Sequence, residues 1–269
     1  MIDQVQANID NSDIQEPSKW QAFFIELAKM FSFILRFFRE VWRPPYEFKE
    51  FLRQCYMIGY QSLPLIIFTG FISGIVFTRQ SRPSLVSFGA ESWLPSLVSI
   101  GFIRSLGPLI TSLICAGKVG SNIGAELGSM RVSEQIDAME VSGTHPFKYL
   151  VVTRVLACTL MLPILVVFTD TMGLLGSFLD INMYSETGFS LFLSNAFSSI
   201  SLLDVFSTFI KPIFFGFAIG MIGCFKGYHA EKGTVGVGKA ANAAVVLSML
   251  LIFVLDILGL QVLTVIRGG

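Results

Sequence analysis

QCYMIGYQSLPLIIFTGFISGIVFT, residues 54–78, runs for 25 positions without a charged side chain. A helix rises about 1.5 Å per residue, so the run is long enough to cross about 30 Å of hydrocarbon. Gly70 and Gly74 stand one turn apart in it, the spacing that lets a second helix approach closely.

Four more apolar runs follow, at about 93–116, 147–179, 205–225 and 240–266. Arg104, Asp170, Lys211 and Asp256 lie inside them in turn. The composition agrees with a membrane chain. Of 269 residues 53% are hydrophobic and only 14% charged, where a soluble domain carries about 25% charged residues. The fold expected is an all-α membrane protein with five transmembrane helices.

Residues 1–18 read as a disordered tail. They are polar and acidic, without the basic-then-apolar order of a secretory signal, so insertion through the spans themselves is expected. From 19 to 43 the pattern changes. Trp20, Phe24, Leu27, Phe31, Leu35, Phe38 and Trp42 recur at helical spacing, with Lys29, Arg36, Arg39 and Glu40 between them. Such a stretch is too charged to span and reads as an amphipathic helix lying in the membrane interface. The competing reading is a soluble helix packed on a partner domain. Pro44-Pro45 ends it, and 44–269 is read as the five-span domain.

Basic residues set the orientation. With the N-terminus inside, segments 36–53, 117–154 and 226–239 carry five, four and three Lys or Arg, while 79–92, 180–204 and 267–269 carry two, none and one. Twelve against three places the N-terminus in the cytoplasm and the C-terminus outside. A bacterial inner membrane fits best. The formal net charge is zero, which argues against nucleic acid as a partner.

The four cysteines, Cys55, Cys115, Cys158 and Cys224, form no CxxC and no Cys/His cluster, so no metal site is expected. No G-x-x-x-x-G-K-[ST] occurs either. Gly117-Lys118 and Gly238-Lys239 are followed by Val119 and Ala240. Lacking that phosphate cradle, the chain is expected to bind no ATP or Mg itself. No grouping of polar residues suggests catalysis.

The stretch from 106 to 154 reads LGPLITSLICAGKVGSNIGAELGSMRVSEQIDAMEVSGTHPFKYLVVTR. Gly117, Gly120, Gly124 and Gly128 recur every three or four positions, so on a helix they line one face and let another backbone approach closely; 117–144 as a whole is taken as a polar, Gly-rich connection that contains a short amphipathic helix at 131–143. Val132, Ile136, Met139 and Gly143 fall on one face; Arg131, Glu134, Gln135, Asp137 and Glu140 fall elsewhere. The helix is too short to span, and its composition suits docking into a groove of another protein. An ordinary surface helix is the alternative.

The run GKVGSNIGAELGSMRVSEQIDAMEVSGTHPFKYLVVTRVLA resembles the signature of the MlaE/YrbE permeases, membrane subunits of ABC transporters that work with MCE-domain proteins. RSLGP at 104–108, FKGY at 225–228, GVGKA at 236–240 and Leu255-Asp256 extend the resemblance. Family members often carry Glu before Leu-Gly-Pro, where this chain has Ser105. The resemblance implies a homodimer that moves phospholipid between the inner and outer membranes. It also implies that helix 131–143 couples to a separate ATPase, which holds ATP and Mg, and that a periplasmic MCE protein exchanges lipid with the permease.

Charges inside a bilayer cost about 2.5–3.5 kcal/mol each on insertion scales and should face protein or water. Arg104 and Lys211 are candidates to meet a lipid phosphate. Phe77, Gln80, Phe102 and Leu106 are candidates to line an acyl path, with core packing as the competing reading. Two charges of each sign equally permit pairing between helices. A different class, an ion-coupled secondary transporter, would use Asp170 and Asp256 as a proton relay, although no inverted repeat is evident and five spans do not divide evenly.

Overall fold

The computed structural model describes residues 19–44, 46–185 and 188–268. They are helical almost throughout, with no strand among them. The tail expected at 1–18 lies outside the described residues. The chain divides into two units, Met1–Trp42 and Arg43–Gly269.

The first unit contains one described helix, α1 (Lys19–Val41). Phe24, Leu27, Phe31, Leu35 and Phe38 recur at three- and four-residue intervals and all are exposed. A stripe at this spacing lies along one face of the helix.

The second unit holds five helices long and apolar enough to cross a membrane. They are α2 (Phe48–Ser87), α3 (Glu91–Val132), α5 (Phe147–Tyr184), α7 (Leu202–Tyr228) and α8 (Thr234–Ile266). Two short helices join them, α4 (Gln135–Val141) between α3 and α5 and α6 (Phe189–Ser198) between α5 and α7.

The spans outrun the apolar runs at several ends. Arg79, Arg82 and Pro83, expected in a loop, lie in the last turns of α2. Residues 117–132, expected as a connection, continue α3. The glycines there, three or four positions apart, form the close-packing helix face that their spacing suggests, although the polar composition of the stretch reads as a connection. A Cβ on Gly124 would lie 3.1 Å from the Cα of Ala241 in α8, and Leu127 abuts Gly227 of α7. Backbone polar groups thus stay paired beyond the hydrocarbon, where an open loop would leave them to water.

Small residues also bring α5 to the centre of the unit. Gly70 and Gly74 of α2 face Thr169 and Gly173 of α5, and a Cβ on Gly74 would collide with the Gly173 backbone. Gly216 and Gly220 of α7 lie against Cys158 and Val155 of α5. The Gly70/Gly74 pair therefore serves the close approach its spacing suggests. On the other side of α3, Leu94, Val98 and Phe102 form a buried cluster with Ile181 of α5 and with Phe192 and Ala196 of α6.

α3 is irregular at two places, with π turns at Phe102–Leu106 and Ala116–Gly120. Pro108 follows the first. Proline has no N–H to offer the carbonyl four residues back, here that of Arg104. That orphan oxygen is taken up by a neighbouring helix.

Candidate functional site

Arg104, at this π turn, reaches α7. Its Nε donates to Asp204 Oδ1 at 2.6 Å and its Nη2 to Asp204 Oδ2 at 3.3 Å. Asp204 is fixed in turn at the start of α7, accepting from the Ser201 backbone N–H at 3.0 Å and hydroxyl at 2.8 Å. This is a capping box in which the N3 carboxylate also grips an arginine.

Two turns further along α7, Lys211 Nζ donates to the carbonyl of Arg104 at 3.1 Å and to Asp256 Oδ1 of α8 at 3.1 Å. It therefore fills the acceptor that Pro108 leaves empty. Thr208 donates to the Ile103 carbonyl at 2.8 Å beside it. The Ser105 hydroxyl donates to the other Asp256 oxygen at 3.3 Å. Gly259 leaves room for the lysine stem, since a Cβ there would stand 2.8 Å from Lys211 Cε. Three helices are thus tied by two ion pairs, and both lysine and carboxylate of the second pair are buried.

Lys211 also forms part of a cavity of about 460 Å³ between α7 and α8. Phe206, Ile210, Phe214, Leu258 and Val262 supply apolar walls. Such a volume lies in the range of small-molecule sites, about 300–1,000 Å³.

Asp170 stands apart from this group. Its carboxyl presses against Gly107, where any Cβ would overlap it, and its buried Oδ1 has no hydrogen-bond partner among the described residues. The neighbouring hydroxyls of Thr111 and Thr169 bond to each other at 2.6 Å. Asp170 and Asp256 hence have different surroundings: one meets a glycine, the other a lysine.

At the opposite end of α3, α4 is shorter than the 131–143 helix expected from sequence. Arg131 and Val132 close α3, Glu134 adopts a left-handed φ of 57°, and Gly143 follows α4 with φ 77°. Only at Gly143 does the residue type suit that conformation without strain. Arg131 pairs with Asp137 across the corner. Ile136 is buried at 1% exposure, while Val132 and Met139 are half-buried. The apolar face expected to dock a partner therefore turns largely into its own chain. Glu134, Gln135, Asp137, Glu140 and Val141 face outward, and Val141 is 91% exposed.

The Permease MlaE family model matches residues 51–262. The chain belongs to the MlaE permease family. The match takes in all but the ends of the five spans and leaves out α1. A probable ABC transporter permease protein of Rickettsia typhi is 38% identical over 231 residues, covering 86% of this chain and 88% of that one. One from Synechocystis is 37% identical over 203 residues, covering 76% and 77%. Another, from Pyropia yezoensis, is 35% identical over 206 residues, covering 76% and 78%. This MlaE permease is accordingly a multi-pass membrane protein and a permease of the ABC-transporter type.

The residues singled out in this MlaE permease divide by place. Arg104 and Lys211 come together, each with its own carboxylate. Phe102 is fully buried and packs edge-on against the half-buried Phe77 at 6.1 Å between ring centres. Gln80 is exposed, and Leu106 packs beside the same core. None of these four lines the α7–α8 cavity.

Three residues escaped the sequence reading. Asp204 falls just before the apolar run 205–225, though Ser201 three residues before it has the spacing of a helix start. Arg154 is a fully buried arginine of α5 whose Nη2 lies 2.9 Å from Glu126 of α3. Val141 is the exposed apolar tip of α4. Nothing local in the sequence marks the last two.

Proposed function

We propose that this MlaE permease is the membrane subunit of an ATP-driven transporter that moves phospholipid between the bacterial inner and outer membranes. The observation that carries the reading is the apolar cavity between α7 and α8 with Lys211 in its wall. An acyl chain matches the walls, and a lipid phosphate can compete with Asp256 for the ammonium. The Arg104 carbonyl keeps one lysine proton engaged during that exchange. Ser105, which donates to Asp256, helps to hold the carboxylate when the lysine changes partner.

α4 is the docking helix for a separate ATPase, which binds ATP and Mg. Its four exposed polar residues and Val141 make a small convex contact of the kind that fits a groove. A second copy of the chain completes the permease. Phe253, Val254, Ile257 and Val265 of α8 are exposed apolar side chains that suit lipid or a facing copy. α1 lies in the interface by virtue of its exposed apolar stripe. The N-terminus is cytoplasmic, the C-terminus periplasmic, and a periplasmic MCE-domain protein exchanges lipid with the outer end.

Reconstitution tests the reading. The permease, its co-purified ATPase and its MCE partner are placed in vesicles carrying labelled phospholipid. ATP-dependent transfer that falls at least about tenfold in Lys211→Ala, as expected when a charge-assisted contact is lost, supports it. Unchanged transfer in Lys211→Ala removes the lysine from the lipid path. Transfer that runs on a proton gradient without ATP favours the second reading, ion-coupled transport, for which the buried, unpartnered Asp170 is the specific observation.

A further inference from the structure

Two arginines at the far end of α2 share one acid. Arg79 Nε donates to Asp180 Oδ1 of α5 at 2.6 Å. Arg82 Nη2 donates to the Asp180 carbonyl at 3.2 Å and to its Oδ2 at 3.5 Å. Arg82 also lies over the Tyr184 ring, 4.2 Å from its centre. The Asp180 carboxylate is enclosed at 1% exposure and Arg82 is 14% exposed, whereas Arg79 is 58% exposed. Asp180 thus serves both arginines, with the shorter contact to Arg79, and Arg79 is the one of the two whose guanidinium stands largely in the open. Its Nη1 and Nη2 have no protein partner among the described residues.

Depth decides what those nitrogens meet. Arg79 directly follows the charge-free run 54–78, which is long enough to cross the hydrocarbon, and so stands at the far end of the span. With the N-terminus inside, that is close to the outer edge of a hydrocarbon layer about 30 Å thick. The surroundings are apolar: Val76 on α2 and Leu179 and Met183 on α5 are all exposed. A planar guanidinium with two free donors suits a phosphate, which it can hold through two parallel bonds.

We infer that Arg79, braced by Asp180 and Arg82, is a binding site for the phosphate of an anionic glycerophospholipid in the outer leaflet. The net charge of the three side chains is +1, so a lipid with net negative charge is held better than a zwitterionic one. The acyl chains lie along Val76, Leu179 and Met183. The site is on the α2–α5 face and shares no residue with the α7–α8 cavity, so it stands or falls separately from the transport reading.

The test uses the full chain in nanodiscs of phosphatidylcholine doped with phosphatidylglycerol, followed by native mass spectrometry of retained lipid. The wild type is expected to keep one phosphatidylglycerol per chain in preference to phosphatidylcholine. Arg79→Gln leaves the Arg82–Asp180 pair intact and should lower that retention about tenfold, the loss expected for one charge-assisted contact. Equal retention in Arg79→Gln and wild type overturns the site. So does a wild type without preference for phosphatidylglycerol, a result that needs no variant to fold. Displacement of the lipid by millimolar inorganic phosphate would show a free-phosphate site and overturn the lipid assignment.

Discussion

Arg104 and Asp204 are 100 residues apart in sequence and meet through two hydrogen bonds, with the aspartate almost wholly enclosed and the arginine one-quarter exposed. The pair joins the π turn of α3 to the first turn of α7. Removing one member leaves the other charge in a poor solvent, while replacing both with apolar groups removes the burden of dehydrating them.

Asp204→Ala is therefore expected to destabilise the permease by on the order of 3 kcal/mol, through a stranded Arg104 and a lost cap on α7. The double variant Arg104→Met with Asp204→Leu should recover part of that loss. Thermal unfolding in detergent measures both. A double variant no more stable than Asp204→Ala would mean that the cap, not the ion pair, carries the effect.

The glycine seam gives a second test with its own control. A methyl group on Gly74 collides with the Gly173 backbone, which cannot swing aside as a flexible side chain could. Gly74→Ala is expected to cost about 1–3 kcal/mol, the range for overpacking. Gly238, in α8, has nothing within 4 Å of the same position. Gly238→Ala should be neutral or stabilising by up to about 1 kcal/mol from helix propensity. Equal unfolding temperatures for the two variants would refute the seam.

These two cases mark what a sequence can carry. The spans were legible because insertion is a local property: a charge-free run such as 54–78 satisfies its own backbone wherever it lies. The Gly70/Gly74 pair was legible for the same reason, as one face of one helix. Partners across helices were not. Arg104 could have met Asp170, Asp204 or Asp256 as far as composition goes, and the choice of Asp204 follows from where α7 begins. Residues 117–132 misled by their polar, Gly-rich composition, which reads as a connection, while the three- and four-residue spacing of the same glycines already suited a face between helices. At α4, hydrophobic spacing identified Ile136 as one of an apolar set but left open whether that set faced a partner or its own chain.

Arg154 and Glu126 lead to a prediction about coupling. Arg154 holds the Leu150 carbonyl at 2.9 Å as well as Glu126, and so joins the end of α3 to the start of α5. Those are the two legs on which α4 stands. If an ATPase pushes α4, this link makes both legs move together. Glu126→Gln keeps the shape and an acceptor oxygen for the buried Arg154 guanidinium while removing the charge, so a loss on the order of 1–3 kcal/mol is expected, and thermal unfolding checks that the variant is folded before it is assayed. ATP hydrolysis by the assembled complex is expected to continue while lipid transfer per ATP falls several-fold. Hydrolysis and transfer falling in equal proportion would deny the link a coupling role.

The outward face of α4 gives the sharpest division between folding and docking. Ile136 and Val141 are both apolar and five residues apart, yet one is 1% exposed and the other 91%. Ile136→Asp buries a carboxylate without a partner and should lower stability by several kcal/mol, with loss of folded permease. Val141→Asp changes a solvent-facing side chain and should alter stability by less than about 0.5 kcal/mol. Its effect is expected on the partner instead. An exposed apolar tip that fills a pocket is the kind of residue whose truncation costs about 2 kcal/mol or more of binding, enough to weaken co-purification of the ATPase more than tenfold. Size-exclusion profiles in detergent, followed by quantitative pull-down, separate the two outcomes. A Val141→Asp permease that is folded and still holds its ATPase with full affinity would show that α4 is not the docking helix.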